Sequence, residues 1–177
     1  VVGAAWTAGH FDKALVFTRD ILTVPHDDAL SLAKALTITA WIRPSAVAVG
    51  FHTFINKGCA PLAVNYFVSI YADEIDFGFY KSGWYDFFTT GVDLKRNIWY
   101  HVAVTYDMTT GAILIYVDGV QRYSATAATA PLTNKRNIEI GNNCLAEDFA
   151  GTLDDLQVFD VVLTADQIIN VMNGLEP

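Results

Sequence analysis

Short segments in which apolar residues alternate with polar or β-branched ones recur along the whole chain, each closed by Gly, Asp or Asn. Alternation at every second residue buries one face of an extended backbone and solvates the other, which is strand periodicity. Nine candidate strands result, over residues 14–24, 36–43, 52–56, 66–72, 76–80, 99–106, 112–117, 137–140 and 152–159. Many short strands punctuated by turn residues predict an all-β, two-sheet antiparallel sandwich. Asp107 to Gly111 closes one hairpin, and Val117-Asp118-Gly119-Val120 closes the next with an Asp-Gly pair suited to positive φ. One short C-terminal helix is expected over Ala165 to Met172, opened by Thr164 and Gln167 as a capping box and closed by Asn173-Gly174. Ser124 to Pro131, rich in Ala and Thr, reads as an extended surface segment crossing between sheets.

A length of 177 residues with 53% hydrophobic content is enough for one core, so residues 1–177 are expected to form a single domain. No apolar run approaches the ~20 residues of a membrane helix, so no membrane insertion is expected. The formal net charge of −8 argues against nucleic acid, whose binding depends on Lys and Arg neutralising phosphates. The chain starts Val1-Val2-Gly3, so any signal peptide is expected upstream, and the domain is expected to be part of a larger protein. Two cysteines, Cys59 and Cys144, fit neither a zinc framework nor a disulfide-dense miniprotein. They form either one bridge or two unpaired thiols.

Near the C-terminus, Gly151-Thr152-Leu153-Asp154-Asp155-Leu156-Gln157-Val158-Phe159 sets two adjacent acids in an otherwise alternating strand. Strict alternation puts Asp154 on a row with Leu156 and Val158, and Asp155 on a row with Leu153, Gln157 and Phe159, so one acid is expected to point inward. A carboxylate on a core-facing row requires a cation or a dense set of hydrogen bonds.

The ordered set of segments resembles the laminin G-like jelly-roll group of the concanavalin A-like lectin and glucanase superfamily. The residues that carry it are Leu36-Thr37-Ile38-Thr39-Ala40-Trp41-Ile42-Arg43-Pro44, Trp99-Tyr100-His101-Val102-Ala103-Val104-Thr105-Tyr106-Asp107, Leu114-Ile115-Tyr116-Val117-Asp118-Gly119, Ile138-Glu139-Ile140-Gly141-Asn142 and the Gly151 to Asp155 segment, completed by Leu163-Thr164-Ala165-Asp166-Gln167-Ile168. The resemblance implies a jelly roll in which the first and last strands are neighbours, bringing Asp20 near Asp154. Two such carboxylates repel unless a cation intervenes. Many members of the group bind Ca²⁺, which takes hard oxygen ligands, so a structural calcium is expected at Asp20 and Asp154, with Asp27 or Asp28 as lesser candidates. The alternative is that backbone N–H groups hold Asp154 and that Asp27-Asp28 decorates a turn.

Because the superfamily also contains glycoside hydrolases and polysaccharide lyases, catalytic carboxylates have to be sought. Glu74-Ile75-Asp76-Phe77-Gly78-Phe79 resembles the start of the glucanase strand motif, but its last acid falls at Gly78 or Phe79. Retaining hydrolysis needs two carboxyl groups about 5 to 5.5 Å apart. Glu74 and Asp76 therefore read as a polar strand edge or turn, and catalysis is not expected. The resemblance implies instead an extracellular or cell-surface, lectin-like module for an oligo- or polysaccharide, with a protein-binding adhesion module as the alternative. Sugars are held by aromatic rings against C–H faces with amides on the hydroxyls. The expected ligand residues are Trp84 and Tyr85 in an aromatic, Gly-containing segment, Lys57, Asn65 and Tyr66 around the Gly58 to Pro61 loop, and Asn142 and Asn143. Trp41 and Trp99 are assigned to the core.

Overall fold

The computed structural model describes residues 4–59 and 62–177. Its strands are β1 (Ala5–Ala8), β2 (Lys13–Phe17), β3 (Leu22–Val24), β4 (Ala35–Pro44), β5 (Phe51–Cys59), β6 (Ala63–Tyr71), β7 (Glu74–Tyr80), β8 (Trp84–Phe88), β9 (Tyr100–Asp107), β10 (Ala112–Val117), β11 (Val120–Thr126), β12 (Ile138–Ile140) and β13 (Gly151–Phe159), followed by α1 (Ala165–Met172). They form a seven-stranded sheet ordered β1-β2-β13-β4-β9-β10-β11 and a six-stranded sheet ordered β3-β12-β5-β6-β7-β8. Neighbouring strands in both sheets run antiparallel. This is the expected two-sheet sandwich.

The core lies between the sheets and is built from alternate residues of each. Ile38, Ala40 and Ile42 of β4 and Val102, Val104 and Tyr106 of β9 meet Tyr66, Val68 and Ile70 of β6 and Ile75, Phe77 and Phe79 of β7. Each fully buried aliphatic or aromatic side chain of this kind stabilises the fold by roughly 1.5–3 kcal/mol. A second, smaller cluster of Ala103, Tyr116, Leu163, Ile168 and Val171 seats α1 on the other face of the seven-stranded sheet. The helix begins as its sequence predicts, with Thr164 Oγ1 accepting from Gln167 N and Gln167 Oε1 accepting from Thr164 N.

Local chemistry departs from the sequence reading in several places. Residues 14–24 are two strands in different sheets, because Asp20 Oδ2 accepts from both the backbone N–H and the hydroxyl of Thr18 and turns the chain between β2 and β3. The aromatic segment after Tyr80 is strand β8 at an edge of the six-stranded sheet. Ser124 to Thr126 belongs to β11, paired with β10, and residues 5–8 add β1. Trp41 is buried, yet it lies beneath α1, donating Nε1–H to the Met172 carbonyl at 3.3 Å. Trp99 is only half-buried and lies just outside β9.

The acid pair is resolved by a β-bulge. Along β13 the pairing with β4 runs from Asp154↔Trp41 to Gln157↔Thr39, inserting one extra residue. Asp155 takes φ +47° at that point. The extra residue reverses the alternation, so Leu153 before the bulge and Leu156 and Val158 after it all face the core. The expectation that one acid points inward is therefore corrected, since it assumed an unbroken phase. Asp154 lies on the outward side with its Oδ2 accepting from the N–H groups of His10 and Phe11 at 2.8 and 3.1 Å, and its Oδ1 from Asp155 N at 2.9 Å.

Candidate functional site

On the six-stranded sheet the residues turned away from the core fall into rows set by register. Thr23, Glu139, Asn56, Phe67, Gly78 and Asp86 stand side by side across β3, β12, β5, β6, β7 and β8. The next row along contains Thr53, Ser69, Asp76 and Phe88, and beyond it Phe51 pairs with Tyr71 and Tyr71 with Glu74. Tyr80 and Trp84 pair at the other end. This outer face is polar and aromatic, whereas the inner face of the same strands is mostly apolar, with Lys57 in the row of Ile138 and Tyr66 as an exception.

A loop between β12 and β13 folds over one end of these rows. Thr53 N donates to the Glu147 carbonyl at 2.9 Å, and Thr53 bridges to Asp148. Asn143 Nδ2 donates to Glu147 Oε2 at 2.6 Å and to Thr53 Oγ1 at 3.1 Å. Asn143 Oδ1 accepts from the N–H groups of Leu145 and Glu147, so one side chain shapes the loop from within. Asn142 Nδ2 bonds to Asp148 Oδ1. The Cys59–Cys144 disulfide, with Cα atoms 5.8 Å apart, ties the loop to the end of β5. Of the two readings of the cysteines, the bridge is the one realised.

Between loop and sheet opens a shallow cleft of about 140 Å³, lined by Phe51, Asn56, Phe67, Trp84, Asp86, Asn143, Leu145 and Glu147. That volume is below the range of pockets that enclose a whole ligand, so the cleft offers a surface against which part of a larger molecule can lie. Trp84 is 44% exposed and packs edge-on against Phe67 with ring centroids 5.6 Å apart, leaving indole surface for a ligand. Phe67 lies across Gly78, where a Cβ would sit 2.6 Å from its ring and 2.4 Å from the Tyr85 carbonyl. Of the two positions where the glucanase-like motif lacks its last acid, Phe79 faces the core and Gly78 lies on the floor of the cleft, where there is no room for a side chain.

The electrostatics of the cleft are acidic. Burial pushes the Asp86 carboxyl above its usual range, with Glu147 adding to the effect. Burial pushes Asp76 from its ordinary 3.8 up to about 8, reinforced by Asp86 and Glu147 and opposed by the Phe87 backbone. Asp76 is fully buried, and the nearby Phe87 backbone N–H falls outside hydrogen-bond geometry, so neither carboxyl oxygen has a full partner. The Glu74 to Phe79 segment, read as a polar strand edge or turn, is strand β7, set between β6 and β8 with Asp76 buried inside it. Glu74 accepts from the N–H groups of Gly91 and Val92 and from the Thr89 hydroxyl, which fixes the chain beyond β8.

The expected ligand residues divide cleanly. Trp84 and Asn143 line the cleft, and Asn142 braces its loop. Tyr85 is on the opposite face of β8, stacked on Phe79 at 4.8 Å. Lys57, Asn65 and Tyr66, expected on an open rim, are fully buried within strands. Asn65 is engaged with both the N–H and the carbonyl of Leu32, while the Tyr66 hydroxyl donates to the Leu30 carbonyl. Lys57 Nζ donates to the Arg136 carbonyl, and burial lowers its pKa while Asp28 raises it. The sequence reading missed Phe51, Asn56, Phe67, Asp86, Leu145 and Glu147. Period-2 alternation from Val68 and Ile70 was the signal that places Phe67 on the outer face.

Asp20 and Asp154 do not fit a shared calcium ion. β2 does neighbour β13, but their pairing runs from Phe17↔Gly151 to Leu15↔Leu153, and the two acids lie past opposite ends of it. Their oxygens already accept N–H and O–H donors. Asp27 caps the 3-10 turn Asp28–Leu30 through Ala29 N, and Asp28 pairs with His26 at 3.1 Å. Among the described residues no three His, Cys, Asp or Glu side chains are grouped to hold a metal.

A β-sandwich with a cleft on the outer face of one sheet defines a lectin-like jelly roll. A family model of laminin G type, described as the concanavalin A-like lectin/glucanases superfamily, matches residues 18–169, and the chain belongs to that family. No curated protein matches it in sequence. In structure it is similar to domain 4 of an extracellular GH43 arabinanase from Geobacillus stearothermophilus, solved with arabinotriose, at 21% identity and TM-score 0.79 over 97% of this chain and 82% of that one. It is similar to the CBM40 of Ruminococcus gnavus IT-sialidase, bound to α2,3 sialyllactose, at 12% identity and TM-score 0.68 over 86% and 96%. The binding domain of Paraclostridial Mosquitocidal Protein 1 also matches, at 15% identity and TM-score 0.81 over 98% of this chain and 46% of that one. At these identities the likeness is one of fold. Among the described residues no helix is long and apolar enough to cross a membrane.

Proposed function

We propose that this domain is a non-catalytic carbohydrate-binding module that works outside the cell as part of a larger protein, and that it holds an oligo- or polysaccharide in the cleft beneath the β12–β13 loop. The observation that carries the reading is the lining itself: an exposed indole at Trp84 beside Phe67 and Phe51, faced by Asn56, Asn143, Asp86 and Glu147. Aromatic surface takes the C–H face of a sugar, and amide and carboxyl groups take its hydroxyls. Carbohydrate complexes of similar folds support the assignment. A disulfide is stable in oxidising surroundings, which supports an extracellular location.

Absence of turnover is supported by the placement of Asp76. Asp76, whose raised pKa would suit a general acid, is sealed from the cleft, and a general acid has to reach the oxygen it protonates. The test is a glycan array run with and without calcium, followed by incubation of each hit and product analysis. Binding that survives chelation and leaves the glycan intact supports the proposal. Cleavage of a hit, or binding to a protein and to no glycan, would overturn it.

A further inference from the structure

The cleft lining contains two carboxyl groups, Asp86 and Glu147, and no Lys, Arg or His. Asp86 lines the cleft, partly screened by its walls, with no ion pair or hydrogen bond to its side chain among the described residues. Glu147 is positioned by Asn143 and Thr53 through Oε2. Behind them Asp76, on the same outer side of β7 as Gly78, is fully buried with neither oxygen fully partnered and lies within electrostatic reach of both acids. The two carboxyl groups that line the cleft repel each other and any anionic ligand, and a cation between them relieves that repulsion. The aromatic wall points the same way, because an ammonium is attracted to the face of Trp and Phe rings.

Resting on the saccharide reading above, we infer that the cleft selects a saccharide bearing a free amine, of the 2-amino-2-deoxyhexose type, with its ammonium between Asp86 and Glu147 and its ring against Trp84. The pyranose C–H face supplies the stacking surface and the remaining hydroxyls meet Asn56 and Asn143. Acetylation of the amine removes the charge, and a carboxylated sugar reverses it. The sialylated ligand of the similar CBM40 domain is therefore a poor guide to specificity here.

The test is calorimetric titration of the folded domain with glucosamine oligomers, N-acetylglucosamine oligomers, glucose oligomers and galacturonate oligomers of equal length. The amine form is expected to bind at least tenfold tighter than the acetylated and neutral forms, to weaken in high salt, and to outcompete a lysine-rich peptide. Asp86→Asn is expected to bring the amine form down to the affinity of the glucose oligomer, with Glu147→Gln as the independent second variant. Equal affinity for amine and acetylated forms, or tighter binding of galacturonate, overturns this inference and leaves the saccharide reading standing. Binding of the peptide alone, with no oligomer bound, overturns both.

Discussion

Asp154 and His10, 144 residues apart in the chain, are joined by a 2.8 Å hydrogen bond from the His10 backbone N–H to Asp154 Oδ2. The same oxygen takes the Phe11 N–H, and Gly9 packs so close that a Cβ there would stand 2.4 Å from it. One carboxylate thus anchors the turn between β1 and β2 onto the bulge of β13. Removing it by Asp154→Ala leaves the N–H groups of His10, Phe11 and Asp155 without their acceptor, and is expected to cost about 1–3 kcal/mol. Denaturant unfolding measures this, and calcium or a chelator is expected to leave the wild-type midpoint unchanged.

At the bulge itself, Asp155 occupies the left-handed region at φ +47°. Asp155→Gly is expected to be tolerated, whereas Asp155→Val is expected to destabilise by about 1–3 kcal/mol, because a β-branched side chain is strained there. Comparing the two melting temperatures separates backbone strain from loss of the carboxyl group, which both variants share.

The disulfide closes 85 residues and holds the cleft's roof to β5. Cys59→Ser with Cys144→Ser is expected to lower stability by about 4 kcal/mol through the gain in unfolded-chain entropy. Glycan affinity is expected to fall as well, because Asn143 and Glu147 lose their fixed position. Unfolding curves and titrations with the double variant check both effects.

The folded-state pKa of Asp76, about 8, lies above its ordinary 3.8. The unfolded chain therefore releases this proton first as pH rises. Its contribution to stability is whole below about pH 4 and is lost progressively up to about pH 8. Asp76→Asn is expected to exceed the wild type by a few kcal/mol, on the order of 3, near pH 8 and to lose that advantage near pH 4. The difference between the two proteins across a pH series isolates this group from others that titrate.

Trp84 is 44% exposed, so Trp84→Ala is expected to leave the melting temperature within a few degrees. Glycan affinity is expected to fall by about tenfold or more, given the cost of removing an aromatic platform. Retained affinity on the glycan that the array identifies would remove Trp84 from the site.

Most of the architecture was legible in the residues because period-2 alternation is a local signal. The strands through Ile38, Val104, Ile115 and Phe77 declare their inner faces, and Thr164-Ala165-Asp166-Gln167 declares a helix start. Pairwise and long-range facts were not legible in that way. The sequence shows two acids at Asp154 and Asp155 but not the extra residue that turns both away from the core, because a bulge is defined by the partner strand. It shows an aromatic segment at Trp84 to Phe88 but not which rings are inward. Pairing with β7 puts Tyr85 and Phe87 on the core and leaves Trp84 and Asp86 outside.

The chain's composition and alternation settle that it is an acidic, two-sheet sandwich, since burial of every second side chain depends on neighbours along one strand. The cleft is a different kind of object. It exists because Asn56, Phe67 and Asp86 fall in one row across three strands, and because Cys144 brings Asn143 and Glu147 from a distant loop over that row. Register and covalent closure bring together residues that no local pattern connects, and these interactions convert a solvated sheet face into a site.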